Sequence, residues 1–303
     1  MIQHYVPQFL LRNFADPDKD QIWVFDKHEQ RSFKTSVKNV AAEKGFYDLE
    51  IDGTKFSFEP ALGSLETSAA DLVRRIVTEQ SLASLTDKDK VHMSLFAAAQ
   101  MIRVKHQRST MSVLNQGIKD LITSSGGDPK TVQGFCDLEG DVLRAFSIQF
   151  LKENTPQFAK HFAEKVWVLY KTSESAPFYI SDNPITLHNT LNQNEFSGTL
   201  GIAVEGIEIH MPLSSTICLA FLCPTIQRYI ETVQAKYGVN IPILSGFNSG
   251  LAEMNTENVL HLNSLQVAYS TRFVYSLSGN FDLVQSMLSQ HPELRTGNMP
   301  VIS

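Results

Sequence analysis

Three residues far apart in the chain have side chains that could do chemistry: His4, Arg103 and Asp182. His4 precedes a short predicted helix, where a buried imidazole would tend to stay neutral and could act as an acid or a base. Arg103 follows the most apolar part of the chain, so its guanidinium needs a carboxylate or phosphate partner. Asp182 follows a predicted strand, where a carboxylate could be a general base or a metal ligand.

Each of these residues also has a structural interpretation. His4 could be hydrogen-bonded in the core, and Arg103 could pair with a structural carboxylate such as Glu66. Asp182 could accept backbone N–H groups in the sharp turn of the SDNP stretch, 181–184. The sequence leaves these alternatives open. A common site requires that the three side chains meet in an open cleft.

The first element that positions them is a short N-terminal helix, predicted over about 7–14. Pro7 suits its first turn, Gln8 and Arg12 share one face, and Asn13 is a candidate C-cap. Alternating β-forming residues follow and predict a small antiparallel region, which includes a hairpin at Asp52-Gly53.

A helical texture begins at Glu59 and lasts to about 164. Thr86 is predicted to cap a helix that continues through the apolar segment 95–102 and beyond Arg103. Two further helices are predicted over 137–152 and 155–164, the second with Pro156 in its first turn.

The last part of the chain is rich in strands and also contains helices. It includes an Asn-rich loop at 189–194 and the predicted helices 224–236, 255–268 and 281–288. No regular alternation of strand and helix occurs, which argues against a doubly wound sheet. We therefore expect a single α+β domain over 1–303, in which a mixed or antiparallel sheet is built from N- and C-terminal strands around a central helical block at about 59–164.

Composition excludes several classes of protein. The net charge of −6 argues against a broad nucleic-acid-binding surface, although a small basic cleft is compatible with it. Three scattered cysteines do not form a disulfide framework, and Cys218 and Cys223 are expected to be buried thiols. No secretory signal and no apolar run of about 18 residues occurs, so we expect a soluble cytoplasmic protein without a membrane span.

The usual catalytic motifs are also missing. The nine histidines form no HExxH pair, and the chain contains neither a GxSxG elbow nor a phosphate-binding glycine loop. We therefore assign no residue to a metal centre, and we expect His210 and His261 to be ordinary polar residues beside strands and helices.

Several stretches, taken in order, resemble one family. They are HYVPQFLLRNFA, WVFDK, KNVAAEKGFYD, the pair Glu59 and Glu66, the apolar helix ending in Arg103, PFYISDNPI, MPLSSTICLAF and ENVLHLNSLQVAYSTRFVYS. This combination resembles the uncharacterised family of domains of unknown function numbered 4238, and the resemblance covers nearly the whole chain. It implies one full-length domain but supplies no reaction.

The resemblance implies a set of pattern positions, many of them polar. These positions are His4, Pro7, Gln8, Asn13, Glu66, Arg103, Ser181, Asp182, Asn183, Pro184 and Asn263. One departure is visible, because Val104-Lys105 follows the helix arginine where Thr-Pro is common in the family. The path of the chain after Arg103 therefore does not follow from the resemblance.

The leading hypothesis is a hydrolase that acts on a phosphate-containing small molecule or a nucleic acid, with a nuclease as its sharpest form. His4 would be the general acid or base, Arg103 would stabilise negative charge, and Glu66 and Asp182 would orient water or hold a divalent metal such as Mg²⁺. The remaining polar positions would bind the ligand: Gln8, Asn13, Ser181, Asn183 and Asn263. The alternatives are a non-catalytic module that binds a ligand or a partner, and a buried polar network that only fixes the fold.

Overall fold

The computed structural model of the chain describes residues 1–51, 53–191, 200–238, 241 and 243–296. Asp52 of the predicted hairpin and residues 192–194 of the predicted Asn-rich loop lie outside the described residues. The fold is α+β, as predicted, with a β-rich beginning, a helical middle and a mixed second half.

The N-terminal part contains one short helix and six short strands. These are β1 (Ile2–His4), α1 (Gln8–Arg12), β2 (Gln21–Asp26), β3 (Arg31–Ser36), β4 (Ala42–Lys44), β5 (Asp48–Ile51) and β6 (Thr54–Ser57). Strand β1 pairs antiparallel with β4, and β5 forms the predicted hairpin with β6. Pairing with β4 fixes His4 immediately before the turn into α1, and Asn13 caps α1 as predicted.

Four helices form the middle of the chain: α2 (Glu59–Glu79), α3 (Asp87–Ile102), α4 (Lys105–Ser124) and α5 (Gly140–Ala163). Their span agrees with the predicted helical block. Thr86 caps α3 through a capping box, in which its hydroxyl accepts from the Asp89 backbone N–H while the Asp89 carboxylate accepts from the Thr86 N–H.

Two helix predictions in this block were wrong. The helix that was expected to run past Arg103 breaks there, because Val104 is extended and buried, and α4 starts at Lys105. The two helices expected at 137–152 and 155–164 are one helix, α5, with Pro156 inside it. Pro156 cannot donate a helical hydrogen bond, so the Lys152 carbonyl lacks its usual backbone donor, while the Thr155 hydroxyl donates to a different carbonyl, that of Leu151, at 2.6 Å.

The second half contains the remaining elements. They are β7 (Val166–Lys171), β8 (Ile180–Ser181), β9 (Thr186–Asn189), β10 (Ile207–Pro212), β11 (Ile217–Leu222), α6 (Pro224–Tyr237), α7 (Ile243–Ser249), β12 (Leu251–Glu253), α8 (Thr256–Tyr269), β13 (Phe273–Ser276) and α9 (Asp282–Gln290). Cys218 and Cys223 are buried, as predicted. Within the described residues, no helix combines the length and apolarity needed to cross a membrane.

Two sheets organise these strands. One has the order β12-β7-β11-β10-β9 and is antiparallel except for the β12–β7 pair. The other, β3-β2-β13-β8, combines N-terminal and C-terminal strands, as the sequence predicts. All six residues of β11 are buried, and Phe221 stacks edge-on against Phe162 of α5 and Trp167 of β7. The helical block is therefore packed against the larger sheet.

Candidate functional site

The structure brings four of the predicted residues into one group, which we call the N-terminal polar centre and define as His4, Gln8, Glu66, Gln100 and Arg103. The Arg103 Nη1 atom lies 2.6 Å from a carboxylate oxygen of Glu66, and its Nε donates to the Gln100 side-chain carbonyl at 2.9 Å. The Arg103 side chain is 1% exposed and that of Glu66 is 27% exposed. The arginine is thus held from inside while the carboxylate reaches the surface.

The hydrogen bonds of Gln8 determine which nitrogen of His4 carries its proton. Arg12 donates to the Gln8 side-chain oxygen at 2.8 Å, so the Gln8 amide nitrogen faces Nδ1 of His4 at 3.4 Å. Because an amide nitrogen can only donate, Nδ1 of the neutral ring is the acceptor and Nε2 carries the hydrogen. The predicted shared face of Gln8 and Arg12 therefore orients the histidine.

Electrostatics keep His4 neutral at pH 7. Burial is the largest effect and lowers the pKa of His4 below 6.5, and the charges of Arg12 and Arg103 lower it further. A hydrogen-bonding contact of the ring with the Lys38 backbone and the charge of the Glu66 carboxylate raise the pKa of His4, but by less than burial lowers it. A neutral imidazole with Nε2–H can donate a hydrogen bond in the resting protein.

Glu59 is a member of this region that the site prediction omitted. It lies seven residues before Glu66 on α2, so both carboxylates project from one face of that helix. Burial raises the pKa of Glu59 above 4.5, the nearby charge of Glu66 raises it further, and Arg103 lowers it. The two-turn spacing of Glu59 and Glu66 was visible in the sequence, but only the structure relates Glu59 to Arg103.

Three atoms of this region are buried without a hydrogen-bond partner in the described part of the chain. They are Nε2 of His4, Oε2 of Glu59 and Nη2 of Arg103. An unsatisfied buried polar group costs about 1–3 kcal/mol, and proteins rarely leave several of them unpaired. The charges of Glu66 and Arg103 act on both His4 and Glu59, so the three atoms lie in one electrostatic neighbourhood, where a water molecule or a ligand atom could complete their hydrogen bonds.

Asp182 has different partners. Its carboxylate accepts the backbone N–H groups of Thr271 at 2.7 Å, Arg272 at 2.8 Å and Phe273 at 3.0 Å. Burial raises the pKa of Asp182, whereas these three bonds and the charge of Lys27 lower it. These contacts agree with the structural alternative for Asp182, in which its carboxylate accepts backbone N–H groups. A catalytic role for Asp182 stays a prediction.

The other polar residues of the SDNP stretch attach it to α8. Ser181 donates to the Gln266 side-chain oxygen at 2.9 Å, and Asn183 donates to the Tyr269 carbonyl at 3.0 Å. Asn263 accepts the Tyr179 N–H at 2.7 Å and donates to the Pro177 carbonyl at 3.0 Å. We call residues 181–184 together with their contacts on α8 and at the start of β13 the SDNP clamp.

The predicted single site is therefore divided between the N-terminal polar centre and the SDNP clamp. No hydrogen bond or ion pair joins the two among the described residues, although the Asp182 charge acts on Tyr5, whose carbonyl accepts from Gln100. Asn13 belongs to neither group, since its side chain donates to the Leu213 carbonyl at 2.7 Å. The predicted residues that converge are His4, Gln8, Glu66 and Arg103.

A second polar cluster escaped the sequence reasoning. His188, Glu208, His210 and His261 line a cleft beside the larger sheet. The alternation of Glu208 and His210 on one strand places them on the same face, but the pairing with β9 and the position of α8 could not be read from the sequence. In the part of the chain that the structure describes, no three His, Cys, Asp or Glu residues are arranged to hold a metal ion.

The fold and these two sites describe an α+β protein with separate polar centres, one near the N-terminus and one beside the larger sheet. Comparison with known protein families shows a match: the model of the family described as "Protein of unknown function (DUF4238)" matches residues 2–280 of the chain. The chain belongs to this family, as its resemblance in sequence predicts. No curated protein and no solved structure was found to match it.

Proposed function

We propose that the protein is a hydrolase of nuclease type, acting on a phosphate ester at the N-terminal polar centre. The observation that supports this proposal most is the group of unpartnered buried atoms on His4, Glu59 and Arg103. Two of them, Nε2 of His4 and Nη2 of Arg103, are N–H donors, and a phosphate oxygen is a suitable acceptor for both.

The guanidinium of Arg103 has a fixed direction. Its Nε and Nη1 are already bonded to Gln100 and Glu66, so Nη2 is the nitrogen left for a ligand. A preorganised donor of this kind stabilises charge that develops on a phosphoryl oxygen without reorganising in the reaction. In this arrangement Glu66 positions the arginine and is not itself the proton carrier.

Glu59 is the better candidate for proton transfer. A carboxyl group whose pKa is raised by burial and by a neighbouring carboxylate retains its proton to higher pH and can protonate a leaving oxygen. Neutral His4 would donate Nε2–H to the substrate or accept a proton after its ring reorients. The reaction would add water across the P–O bond, so that the hydroxyl joins phosphorus and the proton reaches the leaving alcohol.

The alternative is a non-catalytic ligand-binding or structural network. It is favoured by one observation, the near-complete burial of Arg103 between Glu66 and Gln100. In that case substitution of the centre changes stability or binding but has no reaction to abolish.

The test is cleavage of single-stranded RNA, DNA and bis(p-nitrophenyl) phosphate, with and without Mg²⁺ or Mn²⁺. We expect the wild type to cleave at least one substrate, and His4→Gln and Glu59→Gln to reduce the rate by about 10²–10⁴-fold, the range of general acid–base catalysis. Matched controls are His28→Gln, which is exposed, and Glu79→Gln, at the exposed far end of α2.

Three results would count against the proposal. The wild type could cleave none of the substrates, the two variants could retain full activity, or the loss of activity could follow a parallel loss of thermal stability. The third result would identify the structural network, since replacing an unpartnered carboxyl oxygen by an amide should leave the fold intact.

A further inference from the structure

A cleft of about 420 Å³ lies against one face of the larger sheet. We call it the histidine cleft. The residues that line it come from β7, β9, β10, α7 and α8 and from the segments next to them. It shares no residue with the N-terminal polar centre, so its role does not depend on the function proposed above.

Strand pairing accounts for the polar side of the cleft. Glu208 of β10 lies directly opposite His188 of β9, and His210 follows two residues later on the same face of β10. His261 is on α8. The centres of the His261 and His188 rings are 4.7 Å apart, and the angle between the two ring planes is 72°. The Thr190 hydroxyl donates to the Glu208 carboxylate at 2.6 Å. Three imidazoles and one carboxylate therefore converge from two strands and one helix.

The charges of this cleft favour a cationic ligand. No lysine or arginine is among the described residues that line it, and Glu208 is its only acidic residue. Burial lowers the pKa values of His188, His210 and His261, so the three imidazoles are neutral at pH 7. The cleft thus presents one carboxylate and several neutral acceptors but no fixed positive charge, and an anion would be repelled.

One group in the cleft lacks the hydrogen-bond partner that burial requires, and another carries a charge that burial disfavours. Nδ1 of His210 is buried without a hydrogen bond among the described residues, and the His210 residue is only 3% exposed. Burial raises the pKa of Glu208, which means that its charged form is destabilised where it lies. A cation placed beside Glu208 would reverse that effect.

Part of the lining of the cleft is apolar. It includes Ile243, Met254 and Leu262, and the ring of Tyr170 lies 5.8 Å from that of His210. An aliphatic or aromatic ligand body would bury apolar surface here, and the aromatic rings offer negative faces to an ammonium group.

We propose that the histidine cleft is a binding site for a small organic amine, whose ammonium group pairs with Glu208 while its apolar body packs against Ile243, Met254 and Leu262. This assigns a ligand class to a site that the nuclease proposal does not use. The sign of the ligand's charge is the decisive property.

The test compares three probes of similar shape: 2-phenylethylamine, which is cationic, 2-phenylethanol, which is neutral, and phenylacetate, which is anionic. Binding is followed by titration calorimetry and by the NMR shifts of ¹³C-labelled histidine rings, assigned with His188→Gln and His261→Gln. We expect the amine to bind and to shift the cleft histidines, and phenylacetate to bind at least about tenfold more weakly.

Glu208→Gln should weaken amine binding at least about tenfold, because the amide keeps the size and the Thr190 contact but removes the charge. Glu205→Gln, at an exposed position just before β10, should not change it. The proposal is overturned if the amine does not bind, if phenylacetate binds equally well, or if Glu208→Gln binds the amine as the wild type does. Shifts of the cleft histidines caused by Zn²⁺ but not by the amine would identify a metal site and overturn it as well.

Discussion

His210 should make the stability of this protein depend on pH in a predictable way. Its side chain is buried among Tyr170, His188, Glu208 and His261, and burial, followed by the neighbouring histidines, lowers its pKa from 6.5 to about 3. Between these values the unfolded chain binds a proton at this position and the folded chain does not. Free energy of unfolding therefore rises with pH across this window and falls as the pH is lowered from 6.5 towards 3.

The magnitude follows from linkage. With pKa values of 6.5 unfolded and about 3 folded, the folded state loses about 0.2 kcal/mol at pH 7 and about 2 kcal/mol at pH 5 through this one residue. In His210→Gln the titrating group is absent. Lowering the pH from 7 to 5 should therefore destabilise the wild type by about 2 kcal/mol more than it destabilises the variant.

Urea unfolding at pH 7 and pH 5, followed by tryptophan fluorescence and far-UV circular dichroism, measures this difference. The comparison cancels every group that titrates alike in both proteins, including the other histidines. His28→Gln, at an exposed position, is the control and should follow the wild type at both pH values. An equal loss of stability in the wild type and in His210→Gln would refute the reasoning, because it would mean that His210 can be protonated in the folded protein.

Two further predictions concern structural contacts. Asp182→Ala leaves three backbone N–H groups of 271–273 without an acceptor, so urea unfolding should show a loss of at least about 3 kcal/mol, while Asp18→Ala on the surface should change little. Thr86→Ala removes the capping box of α3 and should cost about 1 kcal/mol by the same measurement; a neutral substitution would mean that the cap does not stabilise α3.

Local signals predicted most of the fold because they act within a few residues. The Thr86 cap, the short apolar run of β11 and the position of Pro224 in the first turn of α6 are each explained by nearby atoms. The break after Arg103 has no such signal. It places Val104 in the core, and this tertiary requirement overrides the helical propensity of the surrounding sequence.

At Pro156 the prediction failed in the other direction, because a helix boundary was expected and the helix continues. Proline is common in the first turn of a helix, so Thr155-Pro156 suggested a new start. In α5 the helix continues through the proline, although the Lys152 carbonyl loses its backbone donor there. A start signal and a tolerated interruption look alike until the packing of the whole helix is known.

The sequence predicted individual pairs of contacting residues in the candidate site, but it did not predict which pairs lie together in space. Helical spacing predicted the face shared by Gln8 and Arg12, and the need of a buried guanidinium for a partner suggested Glu66 for Arg103. The separation of Asp182 from this group depends on where β13 begins, some 90 residues later in the chain. Nothing in the sequence shows that Asp182 and the start of β13 are close in space.

The family pattern combines residues of the SDNP clamp and of the N-terminal polar centre. The two groups differ in whether their polar atoms already have hydrogen-bond partners. In the SDNP clamp, the carboxylate of Asp182 and the amide of Asn183 are bonded to the backbone, so a ligand would have to displace bonds that hold α8 and β13. In the N-terminal polar centre, His4 and Arg103 each keep one buried nitrogen without a partner among the described residues. A ligand that completes unmade hydrogen bonds binds at a lower cost in free energy than one that must break existing bonds, and this difference is the physical reason to place the proposed reaction beside His4.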